Sequence, residues 1–128
     1  MMNLLSAATS TPDHLFKTTD LVGSLMHKLS PELINTISSL GVDQRYSTLQ
    51  NFPDFLDGKQ KHPTSSTTQL AVNATERCIH EWGGDPSRIG LLVAATNTPD
   101  HMLPCLASEV MGKTHGLLSR HLRTVSMQ

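Results

Sequence analysis

Two cysteines are the residues of this chain best suited to covalent chemistry. Cys105 follows Pro104 at the predicted start of a helix, where the helix dipole favours the nucleophilic thiolate. A histidine beside it could complete a nucleophile and base pair. The alternative is a small side chain packed on a buried helix, and no Cys–His motif in the sequence favours catalysis. Cys78 stands in an apolar row and is predicted to lie in the core.

The histidines and carboxylates form no metal-binding pattern. None of the seven histidines lies in a HExxH or CxxC context, and His115 and His121 do not have the spacing of ligands on one helix. We therefore predict no metal site. Asp13 and Asp100 each follow a Thr-Pro pair and are predicted to be turn or capping residues rather than an acid and base pair. The glycines form no GxGxxG or GxxxxGKS/T motif, so a nucleotide site is not expected.

The composition predicts one globular domain over residues 1–128 with no extreme charge. The chain is 38% hydrophobic with a formal net charge of −1, which gives no electrostatic support for binding nucleic acid or an acidic membrane. No apolar run approaches the roughly 20 residues of a membrane span, and the N-terminus lacks the features of a signal peptide. With only two cysteines, these features predict a cytoplasmic protein with free thiols. The aromatic content of 4% is low for a chain that closes its own core, and it suggests an incomplete unit.

The end of one apolar strand is the most distinctive stretch of the sequence. Residues Ala94–His101 match Ala7–His14 in seven of eight positions, so we predict that the fold uses the same strand exit twice. A strand that stops in a polar turn is where α/β sheets place their ligands. The second copy follows the stronger apolar run, and it is therefore the candidate ligand site.

These residues have to be positioned by alternating strands and helices. Capping residues and apolar spacing predict four helices, of which the first follows Thr18 and the last covers 103–111. Ser30-Pro31 at the start and Gly41 at the end predict one over 30–40. Ser65–Thr68 at the start and Gly83-Gly84 at the end predict one over 65–82, with the apolar row Leu70, Ala74, Cys78 and Trp82. Strands are predicted over 3–8, weakly over 42–47, over 89–95 with both faces buried, and over 122–127, with a long loop at about 49–64. This order predicts an α/β fold, with a mixed, mostly parallel sheet flanked by helices.

The ordered motifs resemble a known family. The segments Thr64–Thr67, Asp85-x-x-Arg88 to Thr96, His101-x-x-Pro104 and Met111-Gly112 look like the N-terminal part of the β-ketoacyl-ACP synthase III group. Glu81–Gly83 and Ala8–Pro12 are similar to the type III polyketide synthases. Leu40–Tyr46 is similar to the Gly-Ile-x-x-Arg segment that both groups carry.

The resemblance implies a thiolase fold and a condensing enzyme. Residues 1–128 would be the N-terminal segment of that enzyme, and this segment would be incomplete as a lone chain. Such enzymes load an acyl group from CoA or acyl carrier protein onto a Cys, and a malonyl-derived carbanion attacks it in a decarboxylative Claisen step. In the family, the nucleophilic Cys and the His and Asn that stabilise the enolate come from the later part of the chain. Residues 122–128 resemble the strand that runs into that Cys. We therefore expect no catalytic residue in this chain.

The resemblance also implies a substrate pocket and partners. Leu103 matches a position whose side chain reaches across the dimer to line the partner's acyl pocket, and Thr96 matches the hydroxylated strand end near the cavity. A core Leu and a strand-capping Thr are the alternatives. Asn35 and Ser39 stand where family members hold CoA with basic and aromatic residues. The acyl donor could therefore be a carrier protein, or CoA could be held by other contacts. The implied partners are a complementing C-terminal half, a second copy in a homodimer of the complete unit and an acyl carrier protein, with no bound cofactor.

Two other functions stay open. A degenerate half of this kind could be a non-catalytic subunit that binds a ketosynthase or a carrier protein. The chain could also use Cys105 by itself as a nucleophile, although this residue matches a non-catalytic position of the family.

Overall fold

The computed structural model describes residues 3–114, 116–119 and 121–127. His115 and Gln128, which entered the predictions of metal ligands and of the last strand, lie outside these residues. The described chain divides into two compact units, one of residues 11–65 and one of residues 3–10 with 66–127. Each unit combines helices with a two-stranded sheet, which confirms the predicted α/β class.

The unit of residues 11–65 is built on an antiparallel strand pair. Strand β1 (His14–Lys17) pairs with β2 (Gln44–Ser47), with His14 opposite Ser47 and Lys17 opposite Gln44. Helices α1 (Thr18–Leu25) and α2 (Pro31–Ser39) connect the two strands, and helix α3 (Phe52–Leu56) follows them.

Helix α2 begins and ends at the predicted signals. The Ser30 hydroxyl accepts a hydrogen bond from Leu33 N at 3.3 Å, and Pro31 occupies the first helical position, where its missing N–H costs nothing. Gly41 follows the helix with a φ of 67°, a conformation that glycine adopts without steric cost.

The region predicted as a long loop, about 49–64, is more ordered than expected. It contains α3 and an isolated antiparallel bridge between Leu49 and Pro63. The ring of Phe52 lies 6.0 Å from that of Phe16 on β1, so tertiary packing stabilises a helix too short to be recognised from spacing.

The second unit is organised around a parallel strand pair. Strand β3 (Leu91–Ala95) lies beside β4 (Arg123–Met127), with Leu91 opposite Arg123 and Ala95 opposite Met127. Helix α4 (Thr67–Trp82) precedes β3, and helix α5 (Leu106–Lys113) connects β3 to β4. The strands thus form one antiparallel and one parallel pair in two separate sheets, where the sequence predicted a mixed, mostly parallel sheet.

The core of this unit covers one face of the parallel pair. One cluster joins Val72 on α4 to Leu106 and Val110 on α5, and Leu92 packs against it. A second cluster consists of Ile79, Leu118 and Leu122, and Leu92 packs against this one as well. Leu92 touches both clusters, and Ala94 packs against the first one. These two side chains anchor β3 to the core.

Two strand predictions were wrong. Residues 3–12 have no regular structure, and the segment is tied to α4 by a hydrogen bond of 2.8 Å from Arg77 Nη1 to Thr9 O. An apolar run becomes a strand only when another strand supplies hydrogen bonds, and none pairs with this run within the described residues. Strand β3 is buried on one face only, because the described residues provide no layer over the other.

The helix predictions needed smaller corrections. The most buried residues of α4 are Thr68, Val72 and Ile79, while the predicted row of Leu70, Ala74, Cys78 and Trp82 is half-buried. Helix α5 begins at Leu106, after Cys105 as its N-cap, three residues later than predicted.

Candidate functional site

The candidate site lies where β3 and β4 end side by side. Thr96 N donates a hydrogen bond of 3.0 Å to Met127 O, which extends the parallel pairing to the last described residue of β4. The chain then has no regular structure until Cys105, the N-cap of α5. We name residues 96–104 the strand-exit loop. Both predicted pocket residues, Thr96 and Leu103, belong to it.

Thr96 closes a local turn at the start of the strand-exit loop. Its hydroxyl oxygen accepts a hydrogen bond of 3.0 Å from Thr98 N. This is the geometry of a hydroxyl that caps a strand end, so the capping role is present. Its role in lining a substrate pocket stays a prediction.

Leu103 projects from the loop into solvent. Its side chain is 86% exposed, and the neighbouring Met102 is exposed as well. Leu103 therefore does not lie in the core of the described chain, and its alternative role as a core leucine of a complete unit is untested. Its predicted place in an acyl pocket is untested, but an exposed apolar side chain on an anchored loop is available to a partner or an acyl chain.

Asp100 fastens the strand-exit loop to the start of α4. Its Oδ1 accepts from Thr67 N at 3.0 Å, and its Oδ2 accepts from Thr68 N at 2.7 Å. Burial raises the pKa of the Asp100 carboxyl, but the hydrogen bonds from Thr68 and Thr67 outweigh it and the pKa is lowered overall. The sequence predicted a turn or cap for Asp100; its partner helix could not be found from local spacing.

A buried polar contact joins α4 to α5 behind this loop. The hydroxyl of Thr68, which is 1% exposed, donates to Glu109 Oε2 at 2.6 Å. The Glu109 side chain is 8% exposed and also lies 3.6 Å from Lys113 Nζ. Sequence reasoning missed this pair, although a threonine in the first turn of a helix and a carboxylate within another are the signals that could have suggested it.

Among the residues that the structure describes, the side chains that hydrogen-bond to Cys105 are the hydroxyls of Ser108 and Ser126, and neither is a general base. Its Sγ lies 3.3 Å from the Ser108 hydroxyl. Hydrogen bonds from Ser108, Ser126 and nearby backbone groups lower the pKa of the Cys105 thiol to about 7. Ser126 in turn accepts from Ala107 N at 3.0 Å, so the thiol sits where β4 meets α5. This arrangement increases thiolate content without supplying the proton acceptor that nucleophilic catalysis needs.

Cys78, the second cysteine singled out in the sequence, lies on α4 and not in the strand-exit loop. Cys78 is a free, half-buried thiol that lines an open apolar cavity of about 430 Å³ together with Leu5, Trp82 and Ile89. Within residues 3–114, 116–119 and 121–127, His, Cys, Asp and Glu side chains do not gather into a group that could hold a metal ion. None of the helices in the described ranges is long and apolar enough to cross a bilayer.

Comparison with known proteins gives partial matches to condensing enzymes. No family model matches the chain. Over 65 residues the chain is 40% identical to 3-oxopimeloyl-[acyl-carrier-protein] synthase of Rhodothermus marinus, a match that covers 51% of this chain and 18% of that synthase. The match therefore spans less than a fifth of the length of this curated relative.

Solved structures extend the match to nearly the whole chain. MvaS in complex with 3-hydroxy-3-methylglutaryl coenzyme A has a TM-score of 0.70 at 28% identity, covering 96% of this chain and 25% of that one. A 3-oxoacyl-(acyl-carrier protein) synthase from Burkholderia xenovorans has a TM-score of 0.68 at 15% identity, covering 95% and 30%, and this likeness concerns the fold alone. These matches confirm the resemblance seen in the sequence: the chain is similar to condensing enzymes and contains part of a thiolase-like fold.

Proposed function

We propose that this chain is the N-terminal segment of an acyltransferase that condenses an acyl thioester with a malonyl thioester, and that a C-terminal part carrying the catalytic Cys, His and Asn completes it. The observation that supports this most directly is an open apolar face on the parallel strand pair. That face adjoins the strand ends from which the candidate site is built, so a partner seated on it would meet the strand-exit loop.

The open sheet face includes Ala95 and, at one end, the charged Arg123. Its large apolar side chains are those of Leu91, Val93, Val125 and Met127. These side chains are between 46% and 55% exposed, and Val93 lies directly opposite Val125 in the register. Parallel strands in folded proteins are covered on both faces, and soluble monomers rarely leave such a contiguous apolar surface in water. A complementing layer of apolar side chains would satisfy both requirements.

The proposed reaction has two covalent steps. The Cys thiolate of the complementing part attacks the acyl thioester, a new S–acyl bond forms, the donor's C–S bond breaks, and the donor leaves as a thiolate. The malonyl thioester then loses CO₂, and the resulting enolate carbon attacks the acyl carbonyl, so that a carbon–carbon bond forms and the Cys thiolate is released. The His and Asn donors stabilise the enolate oxygen. This chain contributes the strand ends and the strand-exit loop as a wall of the acyl pocket, with Thr96 and Leu103 facing the substrate.

The proposed donor is a CoA or carrier-protein thioester, and no resident cofactor is required. The names of the relatives support this class, since one is an acyl-carrier-protein synthase and another was determined with a coenzyme A thioester. The exposure of Leu103 is consistent with a homodimer of the complete unit in which this side chain reaches the second copy. The free thiols Cys78 and Cys105 fit a reducing, cytoplasmic compartment.

The test is covalent labelling of the native assembly. The chain is purified under native conditions, its co-purifying polypeptides are identified by intact mass, and the sample is incubated with [14C]acetyl-CoA. We expect a second polypeptide that carries an acyl-Cys. If the preparation contains only a folded monomer of 128 residues, the proposal is wrong.

The alternative is a non-catalytic subunit that binds a synthase or a carrier protein. The same open sheet face favours it, because a docking surface is needed in either case. It predicts a stable complex in which neither chain becomes acylated, so the labelling experiment separates the two functions. Labelling of this chain itself that disappears in Cys105→Ala would instead indicate independent use of Cys105.

A further inference from the structure

Asp100 makes a contact that local capping does not explain. Helix α4 already has a local N-cap, because the Ser66 hydroxyl accepts from Gln69 N at 3.1 Å. The carboxylate of Asp100 satisfies two other first-turn N–H groups, those of Thr67 and Thr68, from a distant part of the sequence. The first N–H groups of a helix have no partner within the helix, and their bonds to a carboxylate are charge-assisted. The additional cap therefore strengthens the attachment of the loop as well as the helix.

Two further bonds hold the same loop. The Thr67 hydroxyl donates to Thr98 O at 2.7 Å, and Thr98 N donates to Thr96 Oγ1 at 3.0 Å. The strand-exit loop is thus fixed at its beginning by β4, through Thr96 N, and in its middle by α4. Beyond Asp100 the loop presents Met102 and Leu103, both largely exposed. An ordered backbone that holds apolar side chains in solvent is suited to a contact surface rather than to a solvated turn.

We infer that Asp100 is a positioning residue of the acyl pocket: by clamping the strand-exit loop to the first turn of α4, it fixes where Leu103 lies and so sets which acyl chains are accepted. This inference rests on the proposed function. Asp100 does not touch the reacting atoms; it acts through the backbone that carries Leu103.

The first experiment measures the clamp in the chain itself. Hydrogen–deuterium exchange of peptides covering 96–104 and 67–70 is compared between wild type, Asp100→Ala and Asp100→Asn. Asp85→Ala is the matched control, since Asp85 caps only its own turn through Ser87 N at 2.9 Å and Ser87 Oγ at 2.7 Å. We expect faster exchange in both regions for Asp100→Ala, a smaller increase for Asp100→Asn, which retains one acceptor oxygen, and no change there for Asp85→Ala. Unchanged exchange in Asp100→Ala would overturn the clamp.

The second experiment measures selectivity in the complex with the C-terminal part. Acylation of the partner Cys is followed with acetyl-CoA and octanoyl-CoA for wild type, Asp100→Ala and Asp85→Ala. We expect the ratio of kcat/KM for the two donors to shift by about tenfold, on the order of one misplaced pocket contact, in Asp100→Ala alone, while acetyl transfer is retained. A uniform loss for both donors, or an unchanged ratio, would reduce Asp100 to a structural role and overturn the inference. Failure of the wild-type complex to form any acyl-Cys would instead overturn the proposed function, and the inference with it.

Discussion

At the scale of single residues, the polar groups around the strand ends form hydrogen bonds that local sequence patterns do not reveal. Asp100 and Thr68 find their side-chain partners on another element. Cys105 has one partner, Ser126, on β4 in addition to Ser108 in its own helix. Their chemistry therefore depends on the tertiary fold, and each can be tested by a substitution that removes one partner.

The first residue-scale prediction concerns the reactivity of Cys105. Because its thiol has a pKa lowered to about 7, chiefly by the Ser108 hydroxyl, alkylation by iodoacetamide should reach half of its maximal rate near pH 7. Ser108→Ala should move this midpoint to higher pH. Peptide mass spectrometry of Cys105 over a pH series measures both, with the Cys78 peptide as an internal control. A midpoint that Ser108→Ala leaves in place would mean that this hydroxyl does not lower the pKa.

The second residue-scale prediction concerns the buried hydroxyl of Thr68. Thr68→Val removes a hydrogen bond to a largely buried carboxylate, so the free energy of unfolding should fall by about 1–3 kcal/mol. Thr75→Val is the matched control, because the Thr75 hydroxyl bonds only to Ala71 O within the same helix. Urea denaturation of both variants measures the difference. If both variants lose the same free energy of unfolding, the hydrogen bond from Thr68 to Glu109 contributes little to stability.

The third residue-scale prediction is a dependence on pH. The pKa of Asp100 is lowered in the folded chain from an unfolded value near 3.9, so its carboxylate adds stability above that value and loses this effect as the pH falls through the folded-state pKa. The unfolding free energy of wild type should exceed that of Asp100→Asn at pH 6, and the gap should close below about pH 4. Denaturation at pH 6, 4 and 3 tests this. A gap that widens towards acid would contradict the sign.

At the scale of elements, the sequence predicted the ends of helices correctly but not the contacts between distant segments. The ends of α2 and α4 followed from Ser30, Ser66 and Gly83, whose φ is 64°, because a cap depends on residues within one turn. The segment 3–8 has the composition of a strand, but pairing depends on a neighbour that the sequence does not identify. Likewise, the sequence placed the candidate site at Thr96 and Leu103 but not the bond from Asp100 to α4, since its two ends lie more than thirty residues apart.

The element-scale prediction compares the two faces of the parallel pair. Leu106→Ala removes a side chain from the cluster with Val72 and Val110 and should lower the free energy of unfolding by about 2–5 kcal/mol. Leu91→Ala on the open face should change it by less than about 0.5 kcal/mol. Thermal and urea unfolding of the two variants measure this contrast. A large loss for Leu91→Ala would show that the open face is covered in the isolated chain.

At the scale of the whole molecule, the open sheet face gives the sharpest prediction. Val93→Lys places a charge on that face and should weaken binding of the C-terminal part at least tenfold, because burying an unpaired ammonium is unfavourable. Far-UV circular dichroism should remain that of the wild type. Gln69→Lys, on an exposed position of α4, is the control for added charge. Calorimetric titration compares the affinities, and unchanged binding by Val93→Lys would exclude this face as the docking surface.

The parallel pairing of β3 with β4 also has a consequence for the order of folding. Parallel strands cannot be joined by a tight hairpin, so β4 reaches β3 only after the intervening segment, with α5, has been closed into a loop. Loop-closure entropy is lost before the pairing contributes any stabilisation, and non-local strand pairing of this kind is slow. The helices can form first, and the strand pair comes later. A nascent chain would thus carry an unpaired β3 until residues 123–127 are available, and this interval is when it is most exposed to aggregation.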